Sequence, residues 1–215
     1  SYLDFPIPPE IRRGELRAAR VHFRGKVSQG EGSSPIALLV PRDLLDDHLL
    51  RRASEAGAEV RQGEKVVGVR EEAGRVVVTT AAGEYAAPFA IIAEGAQGRL
   101  KTQVRRADGR SEQGICLVAE AARETPDGDS PGVADIHLGL TRWGYGWVFP
   151  YRDYCSVGVG GLAATMPRAR ETMRQFLHAN GFDAGCRTRG HLIPVGGIRR
   201  TVTLSSSNNL LQSWR

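Results

Sequence analysis

Tyr145, Trp147 and Phe149 alternate with Gly146, Val148 and Pro150, and after seven further residues the chain reads Gly158-Val159-Gly160. Residues two apart in an extended segment project from one face, so the three rings form an aromatic wall on one side of a sheet. Gly158 and Gly160 are also two apart. They leave one face of the following strand bare, so that another backbone or a flat ligand can lie against it. A ring wall beside a bare floor is the geometry of a slot for something apolar. The same residues have an architectural reading as well, with the rings as hydrophobic core and Gly-Val-Gly as a β-bulge.

No other chemistry-bearing residues are as concentrated. The five histidines, His22, His48, His137, His178 and His191, are dispersed, so no Ser/His/Asp triad can be built and they are expected at the surface or in the core. Cys116, Cys155 and Cys186 are odd in number and lack CxxC spacing, which points to ordinary thiols rather than a disulfide framework or a zinc site. No catalytic residue and no metal ligand is assigned on this basis.

The stretch Tyr-x-Trp-x-Phe-Pro followed by Gly-x-Gly, residues 145 to 160, resembles the signature of the geranylgeranyl reductases, flavoproteins that saturate isoprenoid double bonds. The resemblance implies that Tyr145, Trp147, Phe149, Pro150, Gly158 and Gly160 shape a cavity for a prenyl chain. A second resemblance runs over residues 36 to 105, where Arg42 opens a helix, Gly57-Ala58-Glu59-Val60 follows it, and Val66 and Val69 lead to Ile91-Ile92-Ala93-Glu94-Gly95-Ala96. This order is similar to the middle of the flavin-binding domain in the p-hydroxybenzoate hydroxylase superfamily. It implies FAD as cofactor, with Arg42 at the diphosphate or ribityl side, Val66 offering backbone groups to adenine, and Glu94-Gly95 standing where that superfamily has Asp-Gly. Arg42 has an alternative as a helix-start arginine paired with Asp46, and Glu94-Gly95 an alternative as a turn.

The resemblance has gaps. None of the glycines forms the G-x-G-x-x-G that seats a dinucleotide diphosphate at a helix N-terminus, and Asn209-Leu210-Leu211 is not followed by the family's Gly-Asp-Ala-Ala-Gly. The sequence is therefore expected to be the middle of a longer enzyme. On the same resemblance FAD in the intact enzyme would be reduced by a donor, NAD(P)H giving hydride or ferredoxin giving electrons, and the reduced flavin would pass hydride to a prenyl double bond. Two other functions stay open: an aromatic monooxygenase or halogenase of the same superfamily, and a non-catalytic lipid- or partner-binding module.

The elements that must position these residues follow from periodicity. The predicted fold is α+β or mixed α/β, part of a flavin-binding domain interrupted by an antiparallel substrate-binding sheet. Residues 1–35 are assigned to the substrate region, 36–110 to the flavin domain, 111–200 to the antiparallel sheet, and 201–215 to a return into the flavin domain. Alternation over Arg17–Val27 predicts a strand, with a loop from Gly30 to Pro35; Ile36–Val40 predicts another strand. Leu45, Leu49, Ala53 and Ala56 predict a helix ending at Gly57. Strands are predicted at Val66–Val69 and Arg75–Thr80 around an Ala73-Gly74 hairpin, and a buried strand at Phe89–Ala93. Further strands are expected at 115–121, 134–140, 146–149, 155–160 and 191–195, and a helix from Thr165, as N-cap, to Asn180.

A hydrophobic fraction of 41% and a charged fraction of 25% are those of an ordinary globular protein. No apolar run is long enough to span a bilayer and the first residues lack a signal-peptide pattern, which predicts a cytoplasmic protein. Net charge is +5, with 19 Lys/Arg against 21 Asp/Glu up to residue 139, and 10 Arg against 3 acids after it. That C-terminal surplus suits a dinucleotide, a prenyl diphosphate or an anionic membrane surface met peripherally. Nucleic acid is not expected, because the arginines are scattered and no recognisable module accompanies them.

Overall fold

The computed structural model describes residues 6–104, 109, 112–122, 132–195 and 204–205, so the segment read at 209–211 lies outside the described residues. Four strands, β1 (Gly14–Leu16), β2 (Ala18–Phe23), β3 (Lys26–Glu31) and β4 (Ala37–Leu39), precede helix α1 (Arg42–Glu55). Next come β5 (Val66–Glu72), β6 (Arg75–Thr80), β7 (Glu84–Ala87), β8 (Phe89–Ala90) and the short α2 (Lys101–Val104). The chain continues with β9 (Gln113–Ala121), β10 (Val133–Leu138), β11 (Tyr145–Pro150), β12 (Cys155–Leu162), α3 (Ala169–Ala179), β13 (Thr188–Pro194) and β14 (Leu204–Ser205). The fold is mixed α and β.

Two compact units form, Ser1–Glu59 with Ile115–His191, and Val60–Gly114 with Leu192–Arg215. Residues 36–59 cluster with the first unit, where β4 pairs with β1.

The first unit is organised by a seven-stranded sheet in the order β13-β9-β12-β11-β10-β2-β3. The pairs β2–β3, β10–β11 and β11–β12 are antiparallel, while β10 lies parallel to β2. Helix α3 covers one face because Ala169, Met173, Phe176 and Leu177 recur at helical spacing and form an apolar stripe. That stripe is buried against Leu117, Ala119, Val157 and Val159, which alternate on β9 and β12. A smaller cluster of Leu16, Leu39 and Ala134 takes in Phe149 and Tyr151.

Three sequence readings are corrected in this unit. The strand drawn through Val27 breaks at Arg24-Gly25, both at positive φ (49° and 75°), and this tight turn sends the chain back as β3. The helix begins at Ala169 rather than Thr165. The residue before a proline disfavours helical backbone, and Met166 before Pro167 has φ −121°. Thr165 does not cap the helix; its hydroxyl donates to the Arg142 and Leu162 carbonyls. Helix α1 buries none of its residues, although its limits match the expected ones.

In the second unit β5, β6 and β7 make a three-stranded antiparallel sheet. Ala73 and Gly74 supply the two positive-φ residues of the predicted β5–β6 hairpin, 47° and 74°. The apolar run Phe89–Ala93 is not the buried strand its composition suggested. Only Phe89 and Ala90 pair, with β14, while Phe89 is 65% and Ile91 94% exposed. Among the described residues no layer packs over that run, so its hydrophobicity alone does not bury it.

Candidate functional site

Strand β11 sets Tyr145, Trp147 and Phe149 on one face, and the register with β12 places Gly160, Gly158 and Ser156 opposite them in turn. The ring centroids are 5.8 Å and 6.2 Å apart, so the rings form a continuous row. The row is graded. Phe149 packs into the Leu16–Leu39–Ala134 cluster, Trp147 is half-buried, and Tyr145 is exposed. Pro150 closes the strand opposite Cys155.

The bare floor is partly filled by the chain itself. A Cβ on Gly158 would lie 2.2 Å from the Trp147 ring and 2.7 Å from the Leu117 carbonyl oxygen, so the indole rests directly on the Gly158 backbone. At Gly160 the closest atoms to a Cβ would be the Ile115 carbonyl at 3.6 Å, Trp147 at 3.7 Å and Cys116 at 3.9 Å, which is ordinary contact. Gly160 is itself buried, so the exposed surface of this row is at Tyr145, opposite it. Cys116 borders Gly160, and burial pushes the Cys116 thiol up, so the sulfur is held protonated and not as a thiolate nucleophile.

A second feature lies within the other unit. Val66, Val69, Val78, Ile92 and Glu94 line a cavity of about 400 Å³, so two of the expected cofactor residues, Val66 and Glu94, come together. Its walls are mainly aliphatic, and Val66, Val69 and Val78 of β5 and β6 form part of them. Lys65 contributes a cation to the lining.

The Glu94 side chain turns back onto its own chain. Its Oε1 accepts a hydrogen bond from the Lys101 backbone N–H at 2.8 Å, at the start of α2. Burial works to raise this carboxyl, yet the backbone N–H donors of Lys101, Leu100 and Arg99 outweigh it and hold the group below the ordinary carboxylate range. Gly95 follows at φ +76°, a conformation that favours glycine, and Lys101 Nζ donates to its carbonyl. Glu94 thus shapes the loop beneath the cavity. Arg42 opens α1 in the first unit and makes a two-bond pair with Asp46, Nε to Oδ1 at 3.1 Å and Nη2 to Oδ2 at 3.0 Å.

Sequence reasoning missed a third grouping. The parallel register of β2 and β10 sets Arg20 against Asp135 and His22 against His137. Arg20 Nη2 donates to Asp135 Oδ2 at 2.8 Å, and His22 Nε2 lies 2.6 Å from Asp135 Oδ1. The His22 and His137 rings stack at 4.0 Å, and the His137 ring meets the Phe176 ring edge-on at 5.0 Å. Atoms of His22, Asp135 and His137 that can ligate a cation lie within 4.8 Å of one another. Both carboxylate oxygens are already engaged and the two imidazoles are parallel rather than convergent, so the arrangement is a hydrogen-bonded ion network. The signal in the sequence was Arg-x-His in one strand and Asp-x-His in another; their pairing across more than a hundred residues was not visible.

Burial and then the His22 charge lower the His137 imidazole below its ordinary 6.5. Burial opposes ionisation of Asp135, but hydrogen bonds from Arg20 and His22 bring its carboxyl below 3.8. Both depressed groups contribute stability above their unfolded values that is lost on acidification. The expected profile falls first below about pH 6.5, from His137, and again below about pH 3.8, from Asp135. Denaturant unfolding at a series of pH values checks this; a first step that survives His137→Gln would assign it elsewhere.

No family model matches the sequence. An uncharacterized protein of Methanosarcina barkeri is 23% identical over 198 residues, covering 91% of this chain and 50% of that protein. The chain thus spans about half the length of the curated relative it matches. A solved geranylgeranyl bacteriochlorophyll reductase-like protein from Thermoplasma acidophilum superposes with a TM-score of 0.76 at 19% identity, over 94% of this chain and 55% of the other. The chain has that fold. A flavin-dependent halogenase, CmlS, shares it at a TM-score of 0.59 and 17% identity, over 84% of this chain and 37% of the halogenase. At these identities the superpositions show the fold alone.

Proposed function

We propose that this chain belongs to a flavin-dependent oxidoreductase that reduces isoprenoid double bonds, with the Tyr145–Trp147–Phe149 face as part of the wall along which a prenyl chain lies. The observation that carries this reading is the ring row graded from core to solvent, ending at the exposed Tyr145, with Gly160, which has no side chain, opposite it. Such a surface offers dispersion contact and water exclusion to a chain without hydrogen-bonding groups. The superposition on a reductase-like protein supports it, and the superposition on a halogenase keeps an aromatic substrate as the competing reading.

The residues present fit the adenine end of FAD. The aliphatic cavity beside Val66 would receive the ring, with Val66 backbone groups at its edge. Separately, in the first unit, the exposed Arg42 guanidinium offers donors of the kind that bind a phosphate, in exchange for its surface pair with Asp46. Glu94 would act through the loop it holds, keeping Gly95 where a backbone can approach a ligand closely. The flavin, when bound, would supply hydride to the double bond, its reducing electrons coming from NAD(P)H or ferredoxin. This chain's residues supply shape, dryness and orientation.

Gly160→Val tests the reading. A Cβ at this buried glycine meets only ordinary contacts, none nearer than 3.6 Å, so the flavin-loaded protein is expected to keep its melting temperature and its flavin while losing reduction of long prenyl substrates more than short ones. Equal loss for all chain lengths with a lowered melting temperature would reject the prenyl wall. Preferential turnover of a phenol or pyrrole with halide and oxygen would favour the halogenase reading.

A further inference from the structure

We propose that the end of the first unit's sheet where β2 and β10 terminate is a docking edge for an anionic lipid surface. The parallel register ends at His22 and His137, and just beyond it the Phe23 ring lies 3.4 Å from the position a Cβ would take on Gly139, so the β2–β3 turn and the β10–β11 loop meet at this end. Strand β11 starts here at Tyr145, opposite Gly160 near the end of β12. The turn after β12 is tied to the same loop, since the Thr165 hydroxyl donates to the Arg142 carbonyl at 2.7 Å.

Phe23, Val27, Leu138, Leu140, Trp143 and Tyr145 are all exposed at this end, Trp143 at 74%. Trp143 has φ +62°, a backbone state that bulky residues seldom adopt, and it holds the indole outward at the tip of its loop. Large rings kept in water at a conformational cost call for an occupant. Charge identifies its chemistry. Residues 24–26, 139–144 and 163–168 contain Arg24, Lys26, Arg142 and Arg168 and no Asp or Glu, whereas the turn at the other end of β11, residues 151–154, holds Arg152 and Asp153. Arg24 lies over the Phe23 ring at 5.1 Å, so cation and ring share one spot.

Trp, Tyr and Phe rings among arginines and a lysine, without acids, match the boundary between acyl chains and anionic headgroups: rings enter the interface while cations reach phosphate oxygens. A protein partner would be expected to meet some acids for register. The edge needs neither flavin nor the reductase reading, and failure of one leaves the other standing.

The test is sedimentation of the purified chain with phosphatidylcholine vesicles with and without phosphatidylglycerol, together with tryptophan emission. Binding is expected to be stronger to the anionic vesicles, to weaken with salt, and to blue-shift the emission. Trp143→Ser should reduce binding and remove most of the shift. Arg24→Gln with Arg142→Gln should lower partitioning roughly 25-fold, from about 1 kcal/mol, or fivefold, for each cation near an anionic surface. All three residues are on the surface, and unchanged circular dichroism keeps the variants interpretable. No sedimentation with anionic vesicles, or binding equal in both variants and the wild type, would overturn the proposal. So would a dimer in gel filtration that Trp143→Ser makes monomeric, because the edge would then belong to a second copy of the chain.

Discussion

Truncating Phe176 to alanine is expected to cost the chain about 3–5 kcal/mol, the usual range for emptying a buried phenylalanine site. The ring is 3% exposed and belongs to the cluster between α3 and the sheet. It also fills a notch that only glycine leaves open: a Cβ on Gly146 would fall 2.7 Å from its Cζ. The strands around that notch are fixed by hydrogen bonds on both sides of β11, so they cannot close over the gap. The variant carries a second signature. With Phe176 gone, water reaches the His137 ring, the burial that lowers its imidazole weakens, and its titration moves up toward 6.5. Denaturant unfolding and an NMR titration of the histidines check the two parts. A loss under about 1 kcal/mol would mean that α3 settles onto the sheet and that the notch is not rigid.

Gly158→Ala is expected to destabilise by about 3 kcal/mol, at the upper end of what one added methyl group does in a packed site. A flexible neighbour could yield, but here one obstacle is a ring and the other a backbone oxygen, at 2.2 Å and 2.7 Å. The indole must lift from the strand, so the Trp147 emission should shift to the red as the ring meets water. Gly160→Ala is the control, with no atom nearer than 3.6 Å, and is expected to leave stability nearly unchanged. If both variants melt with the wild type, the indole does not rest on Gly158 and the ring row must be rebuilt.

The contrast between these glycines marks how far the sequence could be read. Spacing alone placed Tyr145, Trp147 and Phe149 on one face and Gly158 and Gly160 on the next strand, because alternation is local. It could not say that the flat object on Gly158 is the chain's own indole, since that depends on register and rotamer. Helix α3 itself was legible from its periodicity, whereas its start was not, because Pro167, inside the range read as helical, keeps Met166 out of helical backbone. The run from Phe89 to Ala93 misled because hydrophobicity reports what burial would stabilise, not whether a layer exists to bury it. Strand β7 went unread, its Ala86-Ala87 diluting a short signal. The Arg20–His22–Asp135–His137 network depends on a parallel pairing across 115 positions, which no local pattern encodes.

That parallel pairing also governs the order in which the molecule can assemble on the ribosome. The β2–β3 hairpin can form as soon as its turn is made, but one edge of β2 has no partner until residues 133–138 have been synthesised. Loop closure over so many residues is slow, and an unpaired strand edge is the surface on which nascent chains aggregate. The alternation of Arg20 and His22 along β2 therefore has a use before the network exists: it keeps the waiting edge charged and polar until β10 arrives with Asp135 to neutralise it.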